Sequence, residues 1–245
     1  VTVAVTDGGA SVLSGTDLTT SSDDVVSIDF GSVAATDNII TEINTLAAQS
    51  GISSITGTLT SVSAAQVDAL SSSLSSSNST INFTVDEVLT VAQAAGLLSH
   101  TDTGNAAIQF SAGISDSLSA YAADGSTTTN LNNIIAEDVD VAATVSGTLS
   151  TAQNITDLNA LATKFDEQSG TIVATFSGTK DKLYDSLSSA AILGTGTGDT
   201  IGITISDAVS PNEWAAIKAK TGSTVTANGG FSAALSEYAT GGNTT

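Results

Sequence analysis

The single histidine, His100, lies in the run Leu97-Leu98-Ser99-His100-Thr101-Asp102, at the end of an apolar stretch. Ser99 and Asp102 flank it, so the three residue types of a nucleophilic triad stand close together in the chain. A triad needs a base held against the nucleophile and oriented by a third group in space, which adjacency in sequence does not supply. A helix C-terminus favours a cationic imidazole, and that structural role is the one expected of His100. One histidine without any cysteine also leaves too few of the ligands that zinc sites use.

Two further patterns have residue types that could carry chemistry. The glycine-rich run from Gly194 to Asp199 lacks the Gly-Lys-Ser/Thr of a phosphate loop, misses the dinucleotide fingerprint, and departs from the calcium nonapeptide; it reads as a turn. Carboxylates cluster at Asp23 with Asp24, Asp86 with Glu87, and Glu137 with Asp138 and Asp140. Paired carboxylates can cleave glycosidic bonds, but such sites recruit aromatic platforms and basic residues, which are scarce here. Loops of this kind are better suited to calcium, although no spacing names its ligands. The expectation is therefore no catalytic residue, no cofactor-binding residue and no required cofactor, with Ca2+ as the one candidate ion. Asn78, Asn82, Asn154 and Asn243 fall in N-x-S/T sequons. Trp214, Tyr121, Tyr184 and Tyr238 are dispersed along the chain and suggest no glycan platform by themselves.

Composition narrows the class. The chain has 25 acidic residues against five lysines (Lys164, Lys180, Lys182, Lys218, Lys220), no arginine, and a net charge of -20. Such a charge repels nucleic acid and anionic membrane surfaces and keeps a large assembly soluble. Cysteine and methionine are both absent, so a disulfide frame is impossible. No run is long enough for a membrane span, and no signal peptide is present; the expected explanation is a processed chain or a segment of a longer one. A lean composition suits a product made in quantity and lost from the cell, which points to an extracellular or cell-surface location.

The elements that would position these residues recur. Ile81-Phe83-Val85, Val141-Ala143-Val145 and Ile201-Ile203-Ile205 alternate apolar with small or polar residues, as half-buried strands do, and each begins 60 positions after the last (81, 141, 201). Downstream, Thr90 with Gln93, Ser150 with Gln153 and Ser210 with Glu213 match the capping box that starts a helix, and Pro211 occupies the first helical position. Leu89, Leu149 and Val209 precede the three caps as candidate hydrophobic staples. An earlier copy runs from a strand at Val25–Phe30 through Val33 to a helix with Ile40, Ile43 and Leu46, offset by 56 residues. Each unit holds a second strand–helix pair. Its strands are Ala106-Ile108-Phe110, Ile172-Ala174-Phe176 and one near Val225; its helices carry Leu118 with Tyr121, Leu183 with Leu187, and Leu235 with Tyr238. In the first unit this slot is Ile52–Leu59, then Val62 and a box from Ser63 to Gln66.

Strands joined through helices of about ten residues are expected to run parallel, with right-handed crossovers. The predicted fold is an α/β repeat solenoid of strand–helix units, with a parallel sheet and helices on one face. Residues 1–24 form a lead-in strand and polar turn. Residues 25–240 form four double repeats (about 25–79, 80–138, 139–199 and 200–240), and 241–245 a tail. A closed α/β barrel is the architectural alternative. The other sheet face would present Asn82, Thr84, Ala142, Thr144, Val173, Thr175, Gly202 and Thr204. This is read either as a solvated face or as a lateral contact surface.

The segments Thr144 to Leu161, Thr56 to Leu70 and Asp124 to Ile134 resemble repeats in very large secreted surface proteins of bacteria, marine cyanobacteria especially. That resemblance implies an adhesin, surface-layer or matrix component, often with calcium. The expected function is a non-enzymatic structural repeat protein that self-assembles as a homo-oligomer or polymer into a layer, filament or matrix. The alternatives are a carbohydrate-binding or adhesive module, with a surface glycan as partner, and a viral fibre or decoration protein. Nucleic acid and membrane insertion are not expected.

Overall fold

The computed structural model describes residues 2–6, 20–70, 74, 79–98, 108–147, 151–183, 198–219, 224–240 and 243–244. The chain forms two compact units, one of residues 1–114 with 133–141, the other of residues 115–132 with 142–245. Both are α/β, as the alternating strand and helix patterns require.

The first unit holds a five-stranded sheet of β1 (Thr2–Thr6), β2 (Val25–Ala34), β3 (Ile52–Val62), β4 (Ser79–Val85) and β5 (Ile108–Phe110). All its strand pairs are parallel and the spatial order follows the chain. The period-2 pattern sends Ile81, Phe83 and Val85 into the core and leaves Asn82 and Thr84 half-buried on the other face. In-register pairing lines up Val33, Leu59, Phe83 and Ile108 as one buried row.

Helices α1 (Asp37–Ala47), α2 (Ala64–Ala69) and α3 (Val91–Leu98) connect these strands. In α1 the buried residues Ile39, Ile40, Ile43 and Leu46 follow helical spacing. Thr36 caps it by accepting from Ile39 N at 3.2 Å. Ser63 with Gln66 and Thr90 with Gln93 form the two predicted capping boxes, each bonded in both directions. The residues preceding α1, α2, α3 and the next helix are Thr36, Ser63, Thr90 and Ser117, at an interval of 27 (36, 63, 90, 117).

The second unit begins with β6 (Ile114–Ser117), whose first residue counts with the first unit, and α4 (Leu118–Tyr121). The hairpin β7 (Ala122–Ala123) and β8 (Ser126–Thr127) follows, then α5 (Thr129–Glu137), whose residues from Asn133 belong to the first unit. Next come β9 (Ala142–Ser146), α6 (Ala152–Asp166), β10 (Thr171–Gly178), β11 (Thr200–Ile205), α7 (Pro211–Lys218) and β12 (Thr224–Ala227). The chain ends with α8 (Leu235–Tyr238) and the small hairpin β13 (Ala239–Thr240) and β14 (Asn243–Thr244). The five-stranded sheet has the order β12-β11-β10-β9-β6, and the pairs from β9 to β12 are parallel. Neither sheet reverses its strand order, whereas a doubly wound dinucleotide-binding sheet reverses at a switch point.

Local expectations and the structure differ in detail. The capping box of α6 is Thr151 with Asn154, one residue after the predicted Ser150 and Gln153; Ser150 lies outside the described residues. The expected helix carrying Leu235 with Tyr238 is α8, which buries none of its residues; Leu235 is 81% exposed. The β7–β8 hairpin and α5 stand outside the expected strand–helix pairs. Leu149 and Leu187 lie outside the described residues.

Two glycines give opposite expectations. Gly57 has φ +153°, and a methyl built there would overlap the ring of Phe30. Gly96, on α3, has open space around it. We expect Gly57→Ala to destabilise by about 2 kcal/mol through overpacking and Gly96→Ala to stabilise by about 0.5–1 kcal/mol through helix propensity. Shifts of the urea midpoint in opposite directions would check both.

Candidate functional site

Ser99, His100, Asp102, Tyr184 and Gly194 to Thr197 lie outside the described residues. The remaining nominees are placed far more by backbone amides than by one another. Asp24 accepts from Ser21 N and Ser21 Oγ, each at 2.9 Å, and these bonds hold its carboxyl below the ordinary carboxylate value. Asp199, in the predicted turn, accepts from Ile172 N at 2.8 Å.

A pattern emerges that sequence spacing alone had not revealed. Glu87, in the turn after β4, accepts from Ala64 N at 2.6 Å, the first residue of the preceding helix α2. Asp207, in the turn after β11, accepts from Lys180 N at 2.7 Å. These positions are two 60-residue steps apart (87, 207), and both place a carboxylate on a helical or near-helical amide of the preceding strand–helix pair. An anion there satisfies an orphan donor and meets the positive end of the helix dipole. Gly147 occupies the intervening position and has no carboxylate to offer.

Side chains continue the contact between successive helices. Gln66 Nε2 donates to Asp37 Oδ1 at 3.3 Å, and Gln93 Nε2 to Asp68 Oδ2 at 3.3 Å. In the second unit Lys180 Nζ meets Glu213 Oε1 at 2.7 Å. That contact lowers the Glu213 carboxyl and raises the Lys180 ammonium from their ordinary values. The acidic groups thus work as stitches between neighbours.

Glu137 ends α5, and Asp138 and Asp140 lie in the loop before β9, where a strand edge or loop is expected; Asp140 is exposed, but Asp138 is buried, at 5% exposure. Its Oδ2 accepts from Phe110 N at 2.6 Å, tying the end of α5 to the end of β5. Burial first, then the hydrogen bond shared with Asp140, push the Asp138 carboxyl up to about 6. A second buried carboxylate, Asp157 on α6, accepts from Gly125 N and Gln153 Nε2, both at 2.8 Å, and pins the β7–β8 hairpin.

Among the described residues no three His, Cys, Asp or Glu side chains gather so as to hold a metal ion. A shallow hollow of about 520 Å³ lies beside that hairpin, lined by Gly125, Ser126, Thr127, Asn132, Thr163 and Lys164 among others. Its ammonium, on Lys164, pairs with Glu167 Oε2 at 3.4 Å. Tyr121 is buried and its hydroxyl donates to Thr144 O at 3.1 Å; burial, with Asp116 nearby, raises the phenol above its ordinary range. Trp214 and Phe231, separate in sequence, meet edge-on at 6.4 Å between ring centroids. Asn154 holds the α6 capping box, and Asn82 Nδ2 donates to Thr58 Oγ1 at 3.4 Å. Asn78 is outside the described residues, and Asn243 lies in β14.

The outward sheet faces are the most ordered polar surfaces. In the first unit Asp29, Thr56 and Thr80 form one row, and Ser32, Thr58 and Asn82 another. Thr56 Oγ1 and Thr60 Oγ1 donate to the carbonyls of Ile28 and Val33, each at 3.3 Å. In the second unit Thr175, Gly202 and Thr224 align, as do Ser177, Thr204 and Thr226. Strands β9 to β12 carry no ionisable side chain, and Val173 is 46% exposed. No helix among the described residues is long and apolar enough to cross a membrane. Comparison with known protein families, curated protein sequences and solved structures finds no match to this chain.

The Asp138 carboxyl gives a pH prediction. A carboxyl whose pKa is higher folded than unfolded binds its proton more tightly in the folded state. Its contribution is therefore present at acid pH and lost as pH rises from about 4 through about 6. Unfolding free energy should fall over that window by on the order of 2 kcal/mol relative to Asp138→Asn, which removes the titration. Urea denaturation at a series of pH values measures the difference; parallel curves for the two proteins would overturn the assignment.

Proposed function

We propose that this chain is a non-catalytic extracellular structural protein, a solenoid of strand–helix rungs that self-associates through its outward sheet faces into a layer, filament or matrix. The observation that carries the reading is where the charge lies. Of the acidic residues among those described, only Asp29 and Asp116 fall in the strands of the two five-stranded sheets. Two chains of charge -20 repel each other wherever their acidic loops and helices approach. The flat rows of Ser, Thr, Ala and Val are where they meet with least repulsion and least desolvation of charge.

Other features support the solenoid. Consecutive strands are spatial neighbours, helix starts recur at 36, 63, 90 and 117, and side-chain bonds link one strand–helix pair to the next. An unreversed sheet also lacks the switch-point crevice in which open α/β sheets bind ligands. Association is expected to strengthen with salt, because screening at 0.15 M limits repulsion between exposed charges to about 8 Å.

The test is light scattering and negative-stain electron microscopy of the purified chain across ionic strength. Ordered sheets, tubes or filaments should form as salt rises. Thr175→Glu with Thr204→Glu, which charges the second unit's face, should raise the concentration needed for assembly by tenfold or more while leaving the circular dichroism unchanged. Monodisperse particles at every salt and concentration would overturn the reading.

A further inference from the structure

The hollow beside the β7–β8 hairpin lies where the strand–helix repeat is interrupted. Thr151, the cap of α6, stands 34 residues beyond Ser117, whereas the preceding steps are 27 (63, 90, 117, 151). The longer step holds the antiparallel hairpin and α5. Insertions into repeat arrays fall on one face and often carry binding. This one is built rigidly. Ala122 pairs with Thr127 and Ala123 with Ser126, so Asp124 and Gly125 are the two turn residues. Their φ angles, +52° and +77°, are those the tight turn of a two-residue hairpin requires, and Asp-Gly suits it. The buried Asp157 on α6 holds the turn by accepting from Gly125 N at 2.8 Å. A methyl built on Gly125 would press on Thr156 Cγ2 of α6 at 3.2 Å, so the turn sits close against that helix. Thr128 N donates to Tyr121 O and Thr128 Oγ1 to Ala120 O, each at 2.8 Å, which fixes the return of the chain.

The hairpin and Asn132 form one wall of the hollow, and a stripe of α6 and its C-cap forms the other: Ala160, Thr163, Lys164 and Glu167, at helical spacing. All these residues belong to the second unit. The volume of about 520 Å³ falls within the roughly 300–1,000 Å³ of small-molecule sites. Most such sites are largely apolar. Here Gly125 and Ala160 are the only lining residues, among those described, without a polar side chain. Ser126, Thr127 and Thr163 have hydroxyls that both donate and accept. Thr127 Oγ1 donates to Asn132 Oδ1 at 2.9 Å, so the amide N–H groups are what Asn132 offers a ligand. Lys164 Nζ, a donor, and Glu167 Oε2, an acceptor, stand side by side at 3.4 Å. The charges narrow the ligand. The hairpin, α6 and its C-cap have one cation, Lys164, against Asp124, Asp157, Asp166 and Glu167, which disfavours an anion. An organic cation would have to displace Lys164 from Glu167, and no metal-holding cluster occurs among the described residues.

We propose that this hollow binds one neutral sugar unit of a glycan, with Lys164 and Glu167 engaging neighbouring hydroxyl groups and Asn132 and Thr163 fixing the ring's orientation. Sugar hydroxyls donate and accept in equal measure, as the lining does. An open hollow also admits a unit that continues into a longer chain on either side, which an enclosed cavity would not. The wall is ordered before the ligand arrives, which reduces the entropy lost on binding. This gives the protein an adhesive function besides self-association, and it does not rest on that reading.

The test is titration of the full chain at low ionic strength with glucose, galactose, mannose and N-acetylglucosamine, followed by proton–nitrogen correlation spectra. At least one sugar should move the amide signals of Gly125, Thr127, Asn132, Thr163 and Lys164 while leaving those of β2 and β3 in place. For that sugar, Thr163→Val with Lys164→Met should raise the Kd about tenfold or more through lost hydrogen bonds, with the circular dichroism unchanged. The sheet-face variant Thr175→Glu/Thr204→Glu should leave the Kd as it is. The phosphorylated form of the same sugar should bind more weakly. Spectra unmoved at the hollow by all four sugars, a Kd indifferent to Thr163→Val/Lys164→Met, or tighter binding of the phosphorylated form would each overturn the proposal. Light scattering across salt reads assembly separately, so either reading can fail without the other.

Discussion

The parallel backbone ladder between consecutive strands is the contact on which the other features of each unit depend. A strand such as β4 buries Ile81, Phe83 and Val85 on one face, and Phe83 stands in a row with Leu59 on one side and Ile108 on the other. One strand and its helix cannot enclose such a row, so the core exists only where neighbours stack. Parallel pairing requires a crossover, and the crossover helices present orphan amides at their starts. The caps satisfy part of that demand locally. Glu87 and Asp207 satisfy part of it from the next turn along, which makes the cap itself a bond between neighbours.

The same constraint distributes the charge. A carboxylate in a strand interior would either be buried or break a flat face, and burial of an unpaired charge is strongly unfavourable. At turns and helix starts it meets amide donors and a favourable dipole end. Glu87, Asp207 and Glu213 hold such positions, each accepting a backbone amide at or near a helix start. Asp138 and Asp157, both buried, still take backbone amides, from Phe110 and Gly125, and burial raises the proton affinity of Asp138.

Much of the architecture was legible because it is written in short-range chemistry. The boxes Ser63–Gln66, Thr90–Gln93 and Ser210–Glu213 each span four residues, and alternation in Ile201-Ile203-Ile205 needs only five. Where two local solutions tie, the sequence does not decide: Ser150–Gln153 and Thr151–Asn154 both fit the capping rule, and burial of Ile155, Leu158 and Leu161 on α6 selects the second. The interval of 27 was obscured because the β7–β8 hairpin and α5 lengthen the step between the caps at Ser117 and Thr151. Asp138 could not be recognised as buried, since its partner Phe110 is 28 residues away. Trp214 and Phe231 likewise meet only through the fold.

Burial follows the same constraint. Strand β11 is paired on both sides and buries Ile203 and Ile205, whereas β12, paired on one side among the described residues, leaves Val225 and Ala227 half-buried. A strand with one neighbour has half of the backbone ladder and part of the cover over its apolar row, so it opens at lower free energy than the strands inside the sheet. The core of each unit is therefore strongest where a strand stands between two others, as β4 does between β3 and β5.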